Sequence, residues 1–388
     1  MAAELRKNRH KFMNFKKFRP AVLCLSALVA MNYVAAQGAS IATKLVAGSS
    51  QGNAVSPTEE KFGATVKARE AAGQEANLPA SMAAAESRSL NDWLMRIHQG
   101  SKKRDYIGTF VVSAGGIMTS AKIWHVCEGN QQMERVEMLT GAPRSIFRHN
   151  DQVVTFMPDQ KLVRSEKRES LGLFPELLQA ADSHIADYYK VREEGIDRVA
   201  GVETSIVGLV PRDRLRFGYR VWTERKSGLV VKLQTLDTDG KLLEQAAFSE
   251  LELDAPVKMD KLVQMMGKLE GYRVEKTVLI KTTASAEGWT LKAPVAGFKS
   301  VSCYKRPVAA ENGASGGEPL QWVFSDGLAS VSIFVEPLDR QRHYRESTLS
   351  MGATQTMTRL IEPYWITVMG EVPVTTLLLF ANGLEHKK

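Results

Sequence analysis

Phe324-Ser325-Asp326-Gly327-Leu328-Ala329-Ser330-Val331-Ser332-Ile333-Phe334-Val335-Glu336-Pro337 is a β-hairpin in sequence form. Two alternating runs meet at Asp326-Gly327, a dipeptide suited to the tight turns that join antiparallel strands. The second run stops at Pro337, which has no N–H to give to a ladder. Around this hairpin the pattern predicts a second folded unit with further strands near 297–305 and 365–369. The segment 374–380, Val-Thr-Thr-Leu-Leu-Leu-Phe, has the spacing of a helix docked on that sheet. A Gly- and Glu-rich loop fills 307–319.

Upstream, 89–255 predicts one strongly curved antiparallel sheet with a few helices against its concave side. Ser89 caps an amphipathic helix that places Trp93, Leu94 and Ile97 on one face. Strands follow at 106–113, 118–127, 135–139, 144–149, 153–157 and 162–166, with Gly115-Gly116 as the first turn. A short helix with Pro175 in its first turn is expected at 173–180, extended after a break by Asp187-Tyr188-Tyr189. Strands resume at 202–210, 217–223, 229–236 and 241–252. The stretch 256–280 reads as a helix and connector, with 281–388 as the smaller unit.

The first 88 residues differ in texture. Seven basic residues precede an apolar run from Ala21 to about Met31, and Val34-Ala35-Ala36 supplies small residues before Gln37. This is the layout of a secretory signal over 1–36, and the apolar run is short of the ~20 residues a membrane span needs. A single-pass anchor or a lipoprotein cut at Cys24 fits less well, since Leu23 is bulky where such a cut wants a small residue. Residues 37–88 contain Phe62 as their one aromatic and are rich in Ala, Gly, Ser, Gln and Glu, the composition of a flexible tether. The formal charge of +8 is concentrated in the leader, where seven cations face Glu4, so about +2 remains afterwards. That excludes a nucleic-acid binder. With Cys24 in the leader, Cys127 and Cys303 remain, either as buried free thiols or as one inter-domain disulfide.

The sequence offers little catalysis. Gly313-Ala314-Ser315-Gly316-Gly317 matches the nucleophile-elbow pattern but sits in a glycine-rich loop without the buried strand and helix that the elbow needs. His98, His125, His149, His184 and His343 are scattered, with no H-x-x-x-H and no C-x-x-C, so neither metal nor cofactor is expected. The pairs Glu166/Glu169 and Glu193/Glu194 lie beside arginine or lysine and read as solvated charged turns. What stands out is apolar surface: Phe110, Val112, Ile123, Val136, Met138, Phe147, Val154, Phe156 and Val231 on strands, with Phe174, Leu177 and Leu178 on the expected helix. A bent sheet capped by helices can enclose an acyl-binding cavity, or the same residues can form an ordinary filled core.

Several motifs resemble the RseB/MucB family of periplasmic regulators of an envelope-stress sigma factor. They are the 324–337 hairpin, Trp289-Thr290-Leu291 with Pro294 and Ala296-Gly297-Phe298-Lys299, and Met369-Gly370-Glu371-Val372-Pro373. Asp105-Tyr106-Ile107-Gly108-Thr109-Phe110-Val111 and Glu134-Arg135-Val136-Glu137-Met138-Leu139-Thr140-Gly141 resemble the family's first strand and the segment after its first hairpin. The resemblance spans about 89–385 and implies an α+β protein. Its N-terminal half-barrel would be covered by helices, like the lipoprotein carriers LolA and LolB, and followed by a mixed α/β C-terminal domain.

It also implies a periplasmic negative regulator that holds the periplasmic part of a membrane anti-sigma factor (RseA/MucA-like) and shields it from site-1 proteolysis. Lipopolysaccharide or other acyl-bearing signals would release that grip, and a homodimer stays open. The alternatives are a lipid or lipoprotein carrier and an envelope hydrolase. An acidic partner peptide could pair with Arg340, Arg342, Arg345 and Arg359, which otherwise read as a solvated rim.

Overall fold

The structure, a computed structural model, describes residues 88–102, 104–167, 184–306, 318–341, 343 and 345–387. The leader 1–36, all but Arg88 of the tether, the helix expected at 173–180 and the loop carrying Ser315 lie outside those residues.

The chain opens with helix α1 (Leu90–Lys102). Ser89 Oγ accepts the Asp92 N–H at 3.2 Å, and the Asp92 carboxylate accepts the Ser89 N–H in return at 3.2 Å. This reciprocal cap starts the helix where its apolar face begins. Six strands then meander: β1 (Tyr106–Ala114), β2 (Ile117–Glu128), β3 (Gln131–Met138), β4 (Ser145–His149), β5 (Gln152–Met157) and β6 (Leu162–Lys167). After a short helix α2 (Ile185–Tyr188) a second meander follows. It comprises β7 (Tyr189–Val199), β8 (Val202–Pro211), β9 (Gly218–Glu224), β10 (Val230–Leu236) and β11 (Leu242–Leu253). The two meanders join where β11 pairs antiparallel with β1. Helix α3 (Met259–Met266) and β12 (Arg273–Thr277) complete this unit, with β12 pairing parallel to β6. The result is one open twelve-stranded sheet with β12 and β7 as its edges.

The second sheet has seven strands: β13 (Ile280–Lys281), β15 (Lys299–Lys305), β16 (Leu320–Ser325), β17 (Ser330–Pro337), β18 (Thr348–Met351), β19 (Thr354–Ile361) and β20 (Tyr364–Gly370). The hairpin quoted first is β16–β17, in the register Leu320↔Val335 to Ser325↔Ser330. Helix α4 (Val374–Gly383) buries Leu377, Phe380 and Ala381 against Phe298, Phe324, Ile333 and Ile366. The short strands β14 (Trp289–Leu291) and β21 (Leu384–His386) pair beside them.

Three features depart from the sequence expectation. Tyr189 begins a strand rather than extending a helix, and Glu193 and Glu194 lie within β7 rather than in a turn. As an edge strand, β7 tolerates the charges that hid its alternation. Strands β18 and β19 are polar and fell outside the expected set. The span 256–280, expected as a connector, is largely built into the first unit. Met259, Leu262 and Met266 of α3 are buried there, and Val278 and Leu279 are the residues between the two sheets that belong to neither.

Because α3 seals one face of β2–β6, Leu262→Ala is expected to cost about 2–5 kcal/mol, the range for a buried leucine truncation. Urea denaturation followed by tryptophan fluorescence measures this.

Candidate functional site: the junction of the two sheets

The Asp-Gly turn of the β16–β17 hairpin does more than reverse the chain. The Asp326 carboxylate caps its own turn, accepting the N–H groups of Leu328 at 2.9 Å and Ala329 at 2.7 Å. Its other oxygen accepts Arg216 Nε at 2.7 Å and the Tyr189 hydroxyl at 3.1 Å, both from the first unit. The Arg216 and Asp326 side chains are completely buried. Arg216 also donates to Asp213 and, at 2.7 Å, to the carbonyl of Ala296. Its guanidinium lies 4.4 Å from the centre of the Tyr188 ring and 5.2 Å from that of Phe298. A planar fork is the chemistry this site needs, because it pairs, donates sideways and stacks at once.

The surroundings interlock. Leu328 of the hairpin turn packs into the first unit's cluster of Trp93, Leu94, Ile185, Tyr189 and Val221. In exchange, Leu215 packs against the second unit's core, and its carbonyl accepts the Thr376 hydroxyl at 2.6 Å. Gly297 sits at φ +84°, and a Cβ there would lie 2.5 Å from Arg216 Nη2 and 2.9 Å from the Tyr188 ring. Glycine is required on both counts.

A second contact joins hairpin tips. Gly352, between β18 and β19, abuts Ala114 of β1, where a Cβ would approach to 2.7 Å. Glu244 of β11 accepts the Ala353 N–H at 3.3 Å. Burial raises the pKa of Glu244, and the Ala353 N–H only partly offsets this. Burial, with Asp326 nearby, likewise pushes the Tyr189 hydroxyl well above the ordinary tyrosine value.

Strand register sorts the apolar residues singled out in sequence. Phe110, Val112, Ile123, Val136 and Val231 are buried in one cluster, with Met138 packed at its margin. Phe147, Val154 and Phe156 are buried in another, under α3. Ile123 pairs with Val136 and Val136 with Ile146, whereas Phe147 pairs with Arg135 and Arg135 with Trp124. Directly paired residues share a face, so Phe147, Val154 and Phe156 lie on the opposite side of the sheet from Ile123 and Val136. The nine of these residues that are described are therefore divided between two faces of the sheet. Phe174, Leu177 and Leu178 fall outside the described residues.

The described candidate arginines lie in different settings. Arg359 donates to the Ala381 carbonyl at 3.1 Å and to Asn382 at 2.6 Å, closing the end of α4. Arg340 is exposed, 3.8 Å from Glu362; Arg345 is exposed and Arg342 lies outside the described residues. Glu194 is held by Arg192 and Arg220, and Glu193 accepts the Trp93 indole N–H at 3.2 Å. Cys127 and Cys303 are both free thiols. The junction itself was missed in sequence. Arg216 lies in an unremarkable Arg-Asp-Arg-Leu-Arg run, and only the tertiary fold brings it to Asp326.

Family models describe the same span. The MucB/RseB N-terminal domain matches residues 89–266 and the MucB/RseB C-terminal domain matches 283–385. The sigma factor AlgU regulatory protein MucB of Pseudomonas aeruginosa is 28% identical over 311 residues, covering 77% of this chain and 90% of that protein. The sigma-E factor regulatory protein RseB of Escherichia coli is 22% identical over 294 residues, covering 75% and 89%. Among solved structures, MucB in complex with MucA(peri) is similar with a TM-score of 0.57 and 25% identity, covering 76% of this chain and 98% of that one.

Two predictions follow from the junction's electrostatics. Arg216→Met leaves the Asp326 charge buried without its partner, and a loss of about 3–5 kcal/mol is expected in denaturant titration. Glu244→Gln keeps an acceptor for the Ala353 N–H without the charge. Since the folded-state pKa of Glu244 is raised, its ionisation destabilises the fold as pH rises through that value. The variant is therefore expected to melt higher than wild type at pH 7, with the difference vanishing below the unfolded-state glutamate range. Thermal melts across pH 3–8 measure this.

Proposed function

The chain belongs to the MucB/RseB family, and from that membership we propose that it is an exported negative regulator of an envelope-stress sigma-factor pathway. In this reading it works in the periplasm, grips the periplasmic part of a membrane anti-sigma factor and shields it from the first proteolytic cut. The observation that carries the proposal is the match, along nearly the full length of the relative, to a MucB structure solved with MucA(peri). Curated relatives named as sigma-factor regulatory proteins support it. The role asks for binding surface and no catalysis, so the protein acts by holding its partner and not as an enzyme.

The buried junction supports a two-lobe regulator over a one-lobe carrier. A lipid or lipoprotein carrier would need only the first sheet, whereas here Arg216 and Asp326 satisfy one another across both units. The release signal we propose is acyl-bearing. The face carrying Phe110, Val112, Ile123, Val136, Met138 and Val231 is the candidate contact for it, separate from the face under α3. If acyl ligand and anti-sigma factor favour different arrangements of the lobes, each weakens the other by the same factor.

Calorimetric titration with the periplasmic domain of the anti-sigma factor tests the proposal. Binding is expected, together with protection of that domain from its site-1 protease. Purified lipopolysaccharide is expected to weaken binding by about 5–150-fold, which corresponds to a coupling of ~1–3 kcal/mol. Absence of any interaction would remove the regulatory reading, and an affinity unmoved by lipopolysaccharide would remove the acyl signal alone.

A further inference from the structure

The two ends of the junction are satisfied to different degrees. We propose that the Glu244 end is a pH-operated latch: with its carboxyl protonated the β18–β19 turn lies closed on the first sheet, and ionisation lifts that turn while the Arg216–Asp326 end holds.

Strand pairing aligns a row of residues along this end of the first sheet. Tyr219 pairs with Thr235, Thr235 with Glu244, and Glu244 with Ala114. Directly opposed residues share a face, so the row presents one surface to the second unit. Gly352 sits at φ +58°, and a Cβ there would lie 2.7 Å from Ala114 Cβ and 2.8 Å from Glu244 Oε2. Glycine lets the turn press directly on the carboxylate and seal it from water. Ala353 beside it is fully buried, and its N–H reaches Glu244 Oε2 at 3.3 Å.

The charges around Glu244 do not balance. Thr235 and Ala114 on the flanking strands are neutral, and residues 347–358, which carry the turn, contain no charged side chain. Beyond Thr235, burial first and then the charges of Glu371, just after β20, and Asp326 push the Tyr219 hydroxyl well above the ordinary tyrosine value. Arg216 is the cation near Tyr219, and it is taken up by Asp326 and Asp213. Asp239 and Lys241, in the β10–β11 turn, are exposed. Among the described residues Glu244 has no cation to offset its charge, and the buried Tyr219 hydroxyl has no hydrogen-bond partner. Asp326, by contrast, accepts four hydrogen bonds, one of them from a guanidinium.

A carboxylate sealed against a single N–H holds a charge poorly, whereas the neutral acid fits the same space at little cost. While the turn is closed, burial keeps the Glu244 pKa above the ordinary glutamate value. When the turn lifts, water reaches the carboxylate and the ordinary value returns. Closure is therefore fully favoured below the ordinary glutamate range and weakens as pH rises through the closed-state value. The Arg216–Asp326 end pairs opposite charges, so opening there would strand both. The movement is thus confined to the Gly352–Ala353 turn.

Hydrogen–deuterium exchange of the purified full chain tests this, read by mass spectrometry on fragments spanning 348–355 and 326–330 and corrected for the intrinsic rate at each pH. Protection of the 348–355 fragment is expected to fall about threefold or more between about pH 5 and pH 8, with the 326–330 fragment unchanged. Glu244→Gln, which keeps an acceptor and removes the titration, is expected to hold 348–355 protection level across that range. A flat profile in the unaltered protein would overturn the proposal. So would a fall that persists in Glu244→Gln, or one matched by the 326–330 fragment. The unaltered protein decides the matter by itself if Glu244→Gln fails to fold. Neither fragment is read with a partner present, so the outcome is independent of the regulatory reading.

Discussion

The architecture depends on one buried charge pair. Arg216 and Asp326 are far apart in sequence, wholly removed from water, and belong to different sheets. Taking two such charges out of water costs several kcal/mol each, and their attraction offsets that only when the remaining donors and acceptors are also met. Here they are met. The Asp326 carboxylate accepts from Arg216, Tyr189, Leu328 and Ala329, and Arg216 further donates to Asp213 and Ala296. Such a pair adds little net stability over a well-packed apolar substitute, but it is hard to satisfy in any other arrangement. It therefore specifies how the lobes meet more than how tightly.

That specification matters for the proposed role of holding a partner. The lobes exchange residues, Leu328 into the first core and Leu215 into the second, so sliding one lobe past the other exposes apolar surface and strands charge together. A ligand that favours a different lobe arrangement must work against both terms. The second contact, through Glu244 and the Gly352 turn, adds a group whose ionisation opposes the closed form. The junction is thus graded, with one contact built to stay and one that responds to protonation.

Much of the fold was legible because its signals are local. The Ser89 cap, the Gly115-Gly116 turn, the period-2 strands of both units and the Phe324–Pro337 hairpin all express constraints acting over a few residues. What was hidden depends on register or long-range pairing. The parity of Phe147 relative to Val136 is set by how many residues the β3–β4 connection consumes, and a slip of one changes the face. Edge strand β7 was obscured by the charges that protect it. Asp326 was legible as a turn residue, but its larger role needs Arg216 from another sheet, and no local pattern announces that. Arg359 illustrates the converse: a basic residue that looked free for a partner is held at the end of α4.

The central claim is that Arg216 and Asp326 hold the two sheets in one arrangement. Spin labels at exposed Lys241, in the first unit, and exposed Lys299, in the second, would read the distance between lobes by pulsed dipolar spectroscopy in a background lacking native cysteines. A single narrow distribution is predicted for the otherwise unaltered protein, and a broad or shifted one when Arg216 is replaced by methionine. A distribution that is already broad with Arg216 in place, or one that Arg216→Met leaves unchanged, would contradict the account.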